Sequence, residues 1–110
     1  MKHLLFDLID CPPDLLDDED FVRLSVWNAA KESKSELINI SCHKFKPQGV
    51  TALAMLAESH LSIHTWPETG VAKCDIFTCS DKCKPEKAVE YLGEALEAKQ
   101  IDSDTFDRLL

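Results

Sequence analysis

The chain has 110 residues, 45% hydrophobic and 29% charged, which is enough for one buried core and too few for two. Only three glycines and five prolines exclude a low-complexity or disordered chain, so a single folded domain over residues 1–110 is expected. A net charge of −8 argues against nucleic acid as a partner, because phosphate binding relies on Lys and Arg to neutralise charge.

The N-terminal stretch has one lysine and is interrupted by Asp7 and Asp10 before it reaches signal-peptide or membrane-spanning length, which predicts a cytoplasmic protein that does not engage a membrane. Residues 3–10, with Leu4, Leu5, Phe6, Leu8 and Ile9, read as a first strand stopped by Cys11-Pro12-Pro13. The acidic run Asp17-Asp18-Glu19-Asp20 suits a helix N-terminus. Val22, Val26, Ala29 and Ala30 repeat behind it at helical spacing, predicting a helix over 18–32. From Glu36 to Phe45 an extended chain puts Ile38, Ile40, Cys42 and Lys44 on one face, with Pro47-Gln48-Gly49 as its stop. Val50 to Ala57 is apolar apart from Thr51, the pattern of a strand buried on both faces, with a short helix over Ala52 to Ala57 as the alternative. Leu61 and Ile63 alternate with His60, Ser62 and His64 up to Trp66-Pro67, and Val71 to Cys79 follows Gly70, predicting a hairpin pair. Pro85 opens a second helix whose stripe of Ala88, Leu92, Ala95 and Leu96 ends near Gln100; residues 101–110 carry no readable pattern.

This order predicts an α+β domain, a two-layer sandwich whose mostly antiparallel sheet carries both helices on one face. The other face then lacks a cover, and self-association is the expected remedy. The five cysteines, at 11, 42, 74, 79 and 83, are an odd number in a chain without a secretion signal, so reduced thiols are expected. Cys11, Cys42 and Cys74 read as small buried hydrophobes, Cys83 as an exposed turn residue.

The chemistry concentrates in Glu58-Ser59-His60-Leu61-Ser62-Ile63-His64-Thr65-Trp66-Pro67-Glu68. A serine after a carboxylate and near an imidazole has the parts to attack its own preceding carbonyl, turning the amide into an ester. Removal of the Ser59 α-proton then expels the Glu58 carboxylate, and hydrolysis of the dehydroalanine leaves a pyruvoyl group and ammonia. Imidazole suits the base, and a hydroxyl suits the oxyanion; His64 and Thr51 are the candidates. In a regular strand Ser59 and His64, five apart, point to opposite faces. Either the chain turns or bulges at Ser59, or the two groups meet across a subunit boundary. Cys79 is a candidate proton donor to a carbanion. A metal site from His60, His64, Cys74, Cys79 and Cys83 is disfavoured, because the spacing fits no common zinc pattern.

Three blocks, His43-Lys44-Phe45-Lys46-Pro47-Gln48-Gly49-Val50, the run from Glu58 to Glu68, and Asp75-Ile76-Phe77-Thr78-Cys79, closely resemble the prokaryotic S-adenosylmethionine decarboxylase proenzymes. His3-Leu4-Leu5 and the C-terminal helix are also similar, so the resemblance covers most of the chain. It implies a pyruvoyl-dependent enzyme supplying aminopropyl groups for spermidine synthesis, made by cleavage between Glu58 and Ser59 into residues 1–58 and 59–110. The pyruvoyl cofactor derives from Ser59 and binds the substrate amine as a Schiff base. By resemblance, His64 serves in processing, Cys79 is the catalytic proton donor, Phe45 stacks on adenine and Glu68 meets the ribose. Thr51 stands where the family usually has serine. Ala52 replaces a usual glycine, Thr69 and Val71 replace positions often aromatic, and Lys73 and Ser80 are atypical. Family members resemble one another in forming dimers of α/β-sandwich protomers with active sites at the interface. Related pyruvoyl proteins act on arginine or ornithine, so the processing motif alone leaves these substrates as alternatives, with a non-enzymatic binding module as a third reading.

Overall fold

Side chains alternate across a strand, so one apolar parity gives a strand one face to bury. The computed structural model, which describes residues 1–57, 59–79 and 81–109, applies this rule across the sheet. Its elements are β1 (Lys2–Ile9), α1 (Pro13–Leu16), α2 (Glu19–Glu32), β2 (Leu37–Lys44), β3 (Val50–Leu56), β4 (Ser59–Trp66), β5 (Val71–Thr78), α3 (Pro85–Ala95) and β6 (Gln100–Asp107). The strands form one sheet in the order β2-β3-β4-β5-β1-β6, and every pair in it is antiparallel. The expected α+β sandwich is therefore present, with α2 packed over β2, β3 and β4, and α3 over β1 and β5.

The buried parity comprises Leu4, Phe6 and Leu8 of β1, Val50, Ala52, Ala54 and Leu56 of β3, Leu61 and Ile63 of β4, and Ala72, Cys74 and Ile76 of β5. They meet Val22, Val26, Ala29 and Ala30 of α2 and Ala88, Val89 and Leu92 of α3. The Asp18 side chain caps α2 by accepting from the Phe21 N–H at 3.0 Å. Pro85 sits in the first turn of α3, where its missing N–H costs nothing. Leu61 is fully buried at the sheet centre; Leu61→Ala is expected to cost about 2–5 kcal/mol, read as a fall in the urea midpoint.

Four details depart from the sequence reading. A register shift between Leu37 and Asn39 takes Ile38 out of the alternation, so Leu37, Ile40 and Cys42 pack against the core while Ile38 is 60% exposed. β3 is buried on one face only: Leu53 and Met55 are 51% and 57% exposed, because the helices cover just one side. Cys83 is half-buried, its sulfur 3.6 Å from both the Ser35 hydroxyl and the Lys34 carbonyl oxygen. The unread tail forms β6, paired to β1 from Lys2↔Asp107 to Ile9↔Gln100. It is an edge strand exposed along its length, with Ile101 set against α3, so it carries no apolar alternation. Gly93 of α3 admits it, since a Cβ there would lie 2.4 Å from Ile101 Cδ1.

On the uncovered face the registers stack side chains in three rows. One row runs His43, Thr51, His64, Lys73, Asp7 and Asp102; the next runs Ser41, Leu53, Ser62, Asp75, Leu5 and Asp104. The third runs Asn39, Met55, His60, Phe77, His3 and Phe106. Leu5, Leu53, Met55 and Phe106 are each between 44% and 57% exposed, an apolar surface in need of a cover.

Candidate active site

The chemistry-bearing residues gather at two ends of β4. At its C-terminal end Thr51 Oγ1 and His64 Nδ1, on directly paired residues, lie 2.9 Å apart in a hydrogen bond. They share a cleft of about 380 Å³ with Phe45, Trp66 and Glu68. Buried Thr65 secures this end: its hydroxyl donates to the Leu16 carbonyl at 2.7 Å and accepts from the Val50 N–H at 2.8 Å. Asp17 secures the turn after β2, accepting from the Gly49 N–H at 2.8 Å and pairing with Lys44 at 2.9 Å. Those contacts, the Gly49 hydrogen bond first, hold the Asp17 carboxyl below its ordinary value. Gly49 has φ 109°, and a Cβ there would lie 3.2 Å from the Thr65 carbonyl oxygen, so the turn needs glycine.

At the other end Ser59 is the first residue of β4, paired with Leu56, the last residue of β3. Its hydroxyl is 3.4 Å from the Ala57 carbonyl oxygen. It lines a cleft of about 420 Å³ with His60, Asn39, Ser41, Leu53, Ala54 and Met55. Glu58 lies outside the described residues. Cys79 follows β5 two positions beyond Phe77, the partner of His60, at the same end of the sheet. It lines a separate recess with Thr78, Asp81 and Lys84.

β4 is regular against β3 from Ser59↔Leu56 to His64↔Thr51. Its five-residue rise separates Ser59 from His64 by about 17 Å. No bulge brings them together. His60 and His64 share a face but stand about 13 Å apart on the same arithmetic, too far to ligate one ion within a chain.

Between the two ends lies an array that the sequence did not announce. Asp75 Oδ2 is 2.7 Å from His3 Nε2 and 2.7 Å from His60 Nε2, and Oδ1 accepts from the Ser62 hydroxyl. The rings of His3 and His60 flank Phe77, with centroids 5.1 and 6.1 Å from it. Arg108 Nη1 lies 3.0 Å from His3 Nδ1. A guanidinium can only donate, so His3 carries its ring proton on Nε2, facing Asp75. These three side chains are close enough to hold a metal ion, but in this tautomer His3 turns a proton, not a lone pair, toward the centre. The array is a hydrogen-bonded hub on a carboxylate.

Burial pushes the Asp75 carboxyl up, but hydrogen bonds from Ser62, His3 and His60 outweigh it and hold it below its ordinary value. A carboxyl held lower in the folded chain contributes stability above its unfolded value, about pH 4, and that contribution fades as pH falls through the folded value. Asp75→Asn is expected to lower the urea midpoint at pH 6, and the difference from the parent is expected to shrink as pH falls through the depressed folded value. Among the thiols, burial pushes Cys11 up to about 11 and raises Cys42 and Cys74 as well, so these serve as packing groups and not nucleophiles.

Residues 2–109 match the sequence profile of a family described as S-adenosylmethionine decarboxylase. The chain belongs to the S-adenosylmethionine decarboxylase family. A relative from Synechococcus sp. (strain WH7803), named S-adenosylmethionine decarboxylase proenzyme, is 54% identical over 97 residues, covering 88% of this chain and 76% of the relative. One of the same name from Prochlorococcus marinus (strain MIT 9313) is 50% identical over 107 residues, covering 97% and 86%. The crystal structure of the adenosylmethionine decarboxylase from Aquifex aeolicus VF5 superposes with a TM-score of 0.91 at 35% identity, covering 99% of this chain and 90% of that one.

Within this S-adenosylmethionine decarboxylase fold, Thr51, His64, Phe45 and Glu68 share one cleft and Ser59 sits apart. What sequence reasoning missed is Asp75 and its partners. Parity alone puts His3, His60, Ser62, Asp75 and Phe77 on the uncovered face; only the strand register makes them neighbours.

Proposed function

We propose that the chain is the precursor of a pyruvoyl-dependent enzyme that releases carbon dioxide from S-adenosylmethionine for spermidine synthesis. The observation that carries this reading is the serine at the head of β4, in a chain 54% identical to a protein named as the proenzyme of that decarboxylase. The relatives named above are decarboxylases of S-adenosylmethionine, which favours it over arginine, ornithine or a binding module. No helix among the described residues is long and apolar enough to cross a membrane, and we place the enzyme in the cytoplasm.

Cleavage divides the chain after Glu58. Ser59 attacks the preceding carbonyl, the ester loses the Ser59 α-proton to His64, and the Thr51 hydroxyl supports the oxyanion. Thr51 keeps the hydrogen bond to His64 that a serine would make. The residues fit the cofactor, since Ser59 is half-exposed on a cleft. A pyruvoyl carbonyl supplies a sink for the electron pair released with carbon dioxide. Phe45 stacks on the adenine, Glu68 binds the ribose, and Cys79 gives the α-carbon its proton.

Ser59 and His64 of one protomer cannot meet, so a complete site needs a dimer. Two copies joined face to face about a two-fold axis set the Ser59 end of one against the His64 end of the other. The same contact covers Leu5, Leu53, Met55 and Phe106. Carbon dioxide release from S-adenosylmethionine, arginine and ornithine, assayed side by side, tests the substrate. S-adenosylmethionine is expected to be preferred; preference for either amino acid overturns the assignment.

A further inference from the structure

Phe45 stands on the connection between β2 and β3, and it is 45% exposed on the cleft it shares with Thr51, His64 and Glu68. An aromatic ring on a connection keeps one orientation only if the backbone beneath it is tied from outside. We propose that Asp17 is that tie, a positioning residue that fixes Phe45 for the adenosine part of the substrate and so sets affinity without touching it. This rests on the reading above that S-adenosylmethionine occupies this cleft.

Asp17 grips both ends of the connection through one oxygen. Its Oδ1 accepts from the Gly49 N–H at 2.8 Å and lies 2.9 Å from Lys44 Nζ. The same ammonium donates to the Phe45 carbonyl oxygen at 3.1 Å, and the Phe45 N–H donates to the Gly49 carbonyl oxygen at 2.8 Å, closing the loop. The Phe45 side chain lies against Gly49: a Cβ there would be 3.9 Å from both Phe45 Cβ and Phe45 Cδ2. The ring also meets His43 edge-on, with centroids 4.6 Å apart, but His43 is itself exposed and restrains it less.

Asp17 serves as a tie because it is fixed in turn. It follows the fully buried Leu16, whose carbonyl oxygen accepts from the Thr65 hydroxyl at 2.7 Å, and its own N–H donates to the Pro13 carbonyl oxygen at 3.0 Å. The restraint therefore runs from the core, through a side chain far from the cleft in sequence, to the backbone under the ring. Asp17 does not line the cleft, so it acts through Gly49 and Lys44. A ring ordered in advance lowers the entropy cost that binding otherwise meets.

The test is calorimetric binding of methylthioadenosine, a thioether nucleoside that keeps the substrate's adenosine and lacks its amino acid group, to the purified protein. The kcat and KM for S-adenosylmethionine are measured beside it. Asp17→Ala is expected to weaken nucleoside binding and raise KM by about tenfold, with kcat within about threefold of the parent. Asp17→Asn keeps an oxygen for the Gly49 N–H and is expected to recover part of the loss. A role in stability alone would lower the urea midpoint and leave the affinity of the folded protein where it was. Affinity and KM of Asp17→Ala within about twofold of the parent, a fall in kcat at constant KM, or Asp17→Asn binding no more tightly than Asp17→Ala would each overturn the proposal. Should Asp17→Ala fail to fold, Lys44→Gln, which removes the link to the Phe45 carbonyl, takes its place, with affinity equal to the parent's again overturning it. If the parent does not bind the nucleoside, or binds it as tightly after Phe45→Ala, it is the reading of the cleft that has failed. Binding that needs Phe45 and ignores Asp17 fails this proposal alone.

Discussion

Ser59→Ala is expected to leave a single full-length species after prolonged incubation and to abolish decarboxylation. Without the side-chain oxygen no ester forms, no α-keto group follows, and the electron sink is missing. The loss is then the whole acceleration and not a fraction of it, on an enzyme scale of about 8–23 kcal/mol in the barrier. Intact mass is the direct measurement: the parent is expected to give fragments of 58 and 52 residues (110 − 58), the second lacking an N-terminal amine, while the variant gives neither. Full-length parent alone would remove the basis for the enzyme reading. Fragments from the variant would move the cleavage elsewhere.

The core was legible because burial on one face imposes a period. Leu61 and Ile63 could be assigned to the inside before any coordinates, since they alternate with His60, Ser62 and His64, whereas in β1 the apolar Leu5 and Ile9 hid which parity is buried. Where the period failed, so did the reading. β6 is exposed along its length and selects no apolar parity, and the register shift at Ile38 breaks the alternation without a glycine or proline to mark it. β3 misled in the other direction: Leu53 and Met55 look like core but lie on the face that the helices leave uncovered. The candidate site divides along the same line. Ser59, His64 and Cys79 stood out through residue type and resemblance, whereas Asp75 joins His3, His60 and Ser62 only through pairing of β4, β5 and β1, and register across three strands is not written in the local pattern of any one of them.

The second large effect follows from the regularity of β4. If each site takes Ser59 from one protomer and His64 from the other, neither Ser59→Ala nor His64→Ala forms a working site alone, yet their mixed dimer does. Its good site joins Ser59 of the His64→Ala chain to His64 of the Ser59→Ala chain; its other site carries both lesions. With random pairing half the dimers are mixed and half their sites intact, so roughly a quarter of all sites recover. Co-expression of the two variants with different affinity tags is expected to yield cleavage of the His64→Ala chain only, with decarboxylation returning in proportion. A site built within one chain predicts no recovery at any ratio, because a serine and a histidine about 17 Å apart on a straight strand gain nothing from a partner that does not bridge them.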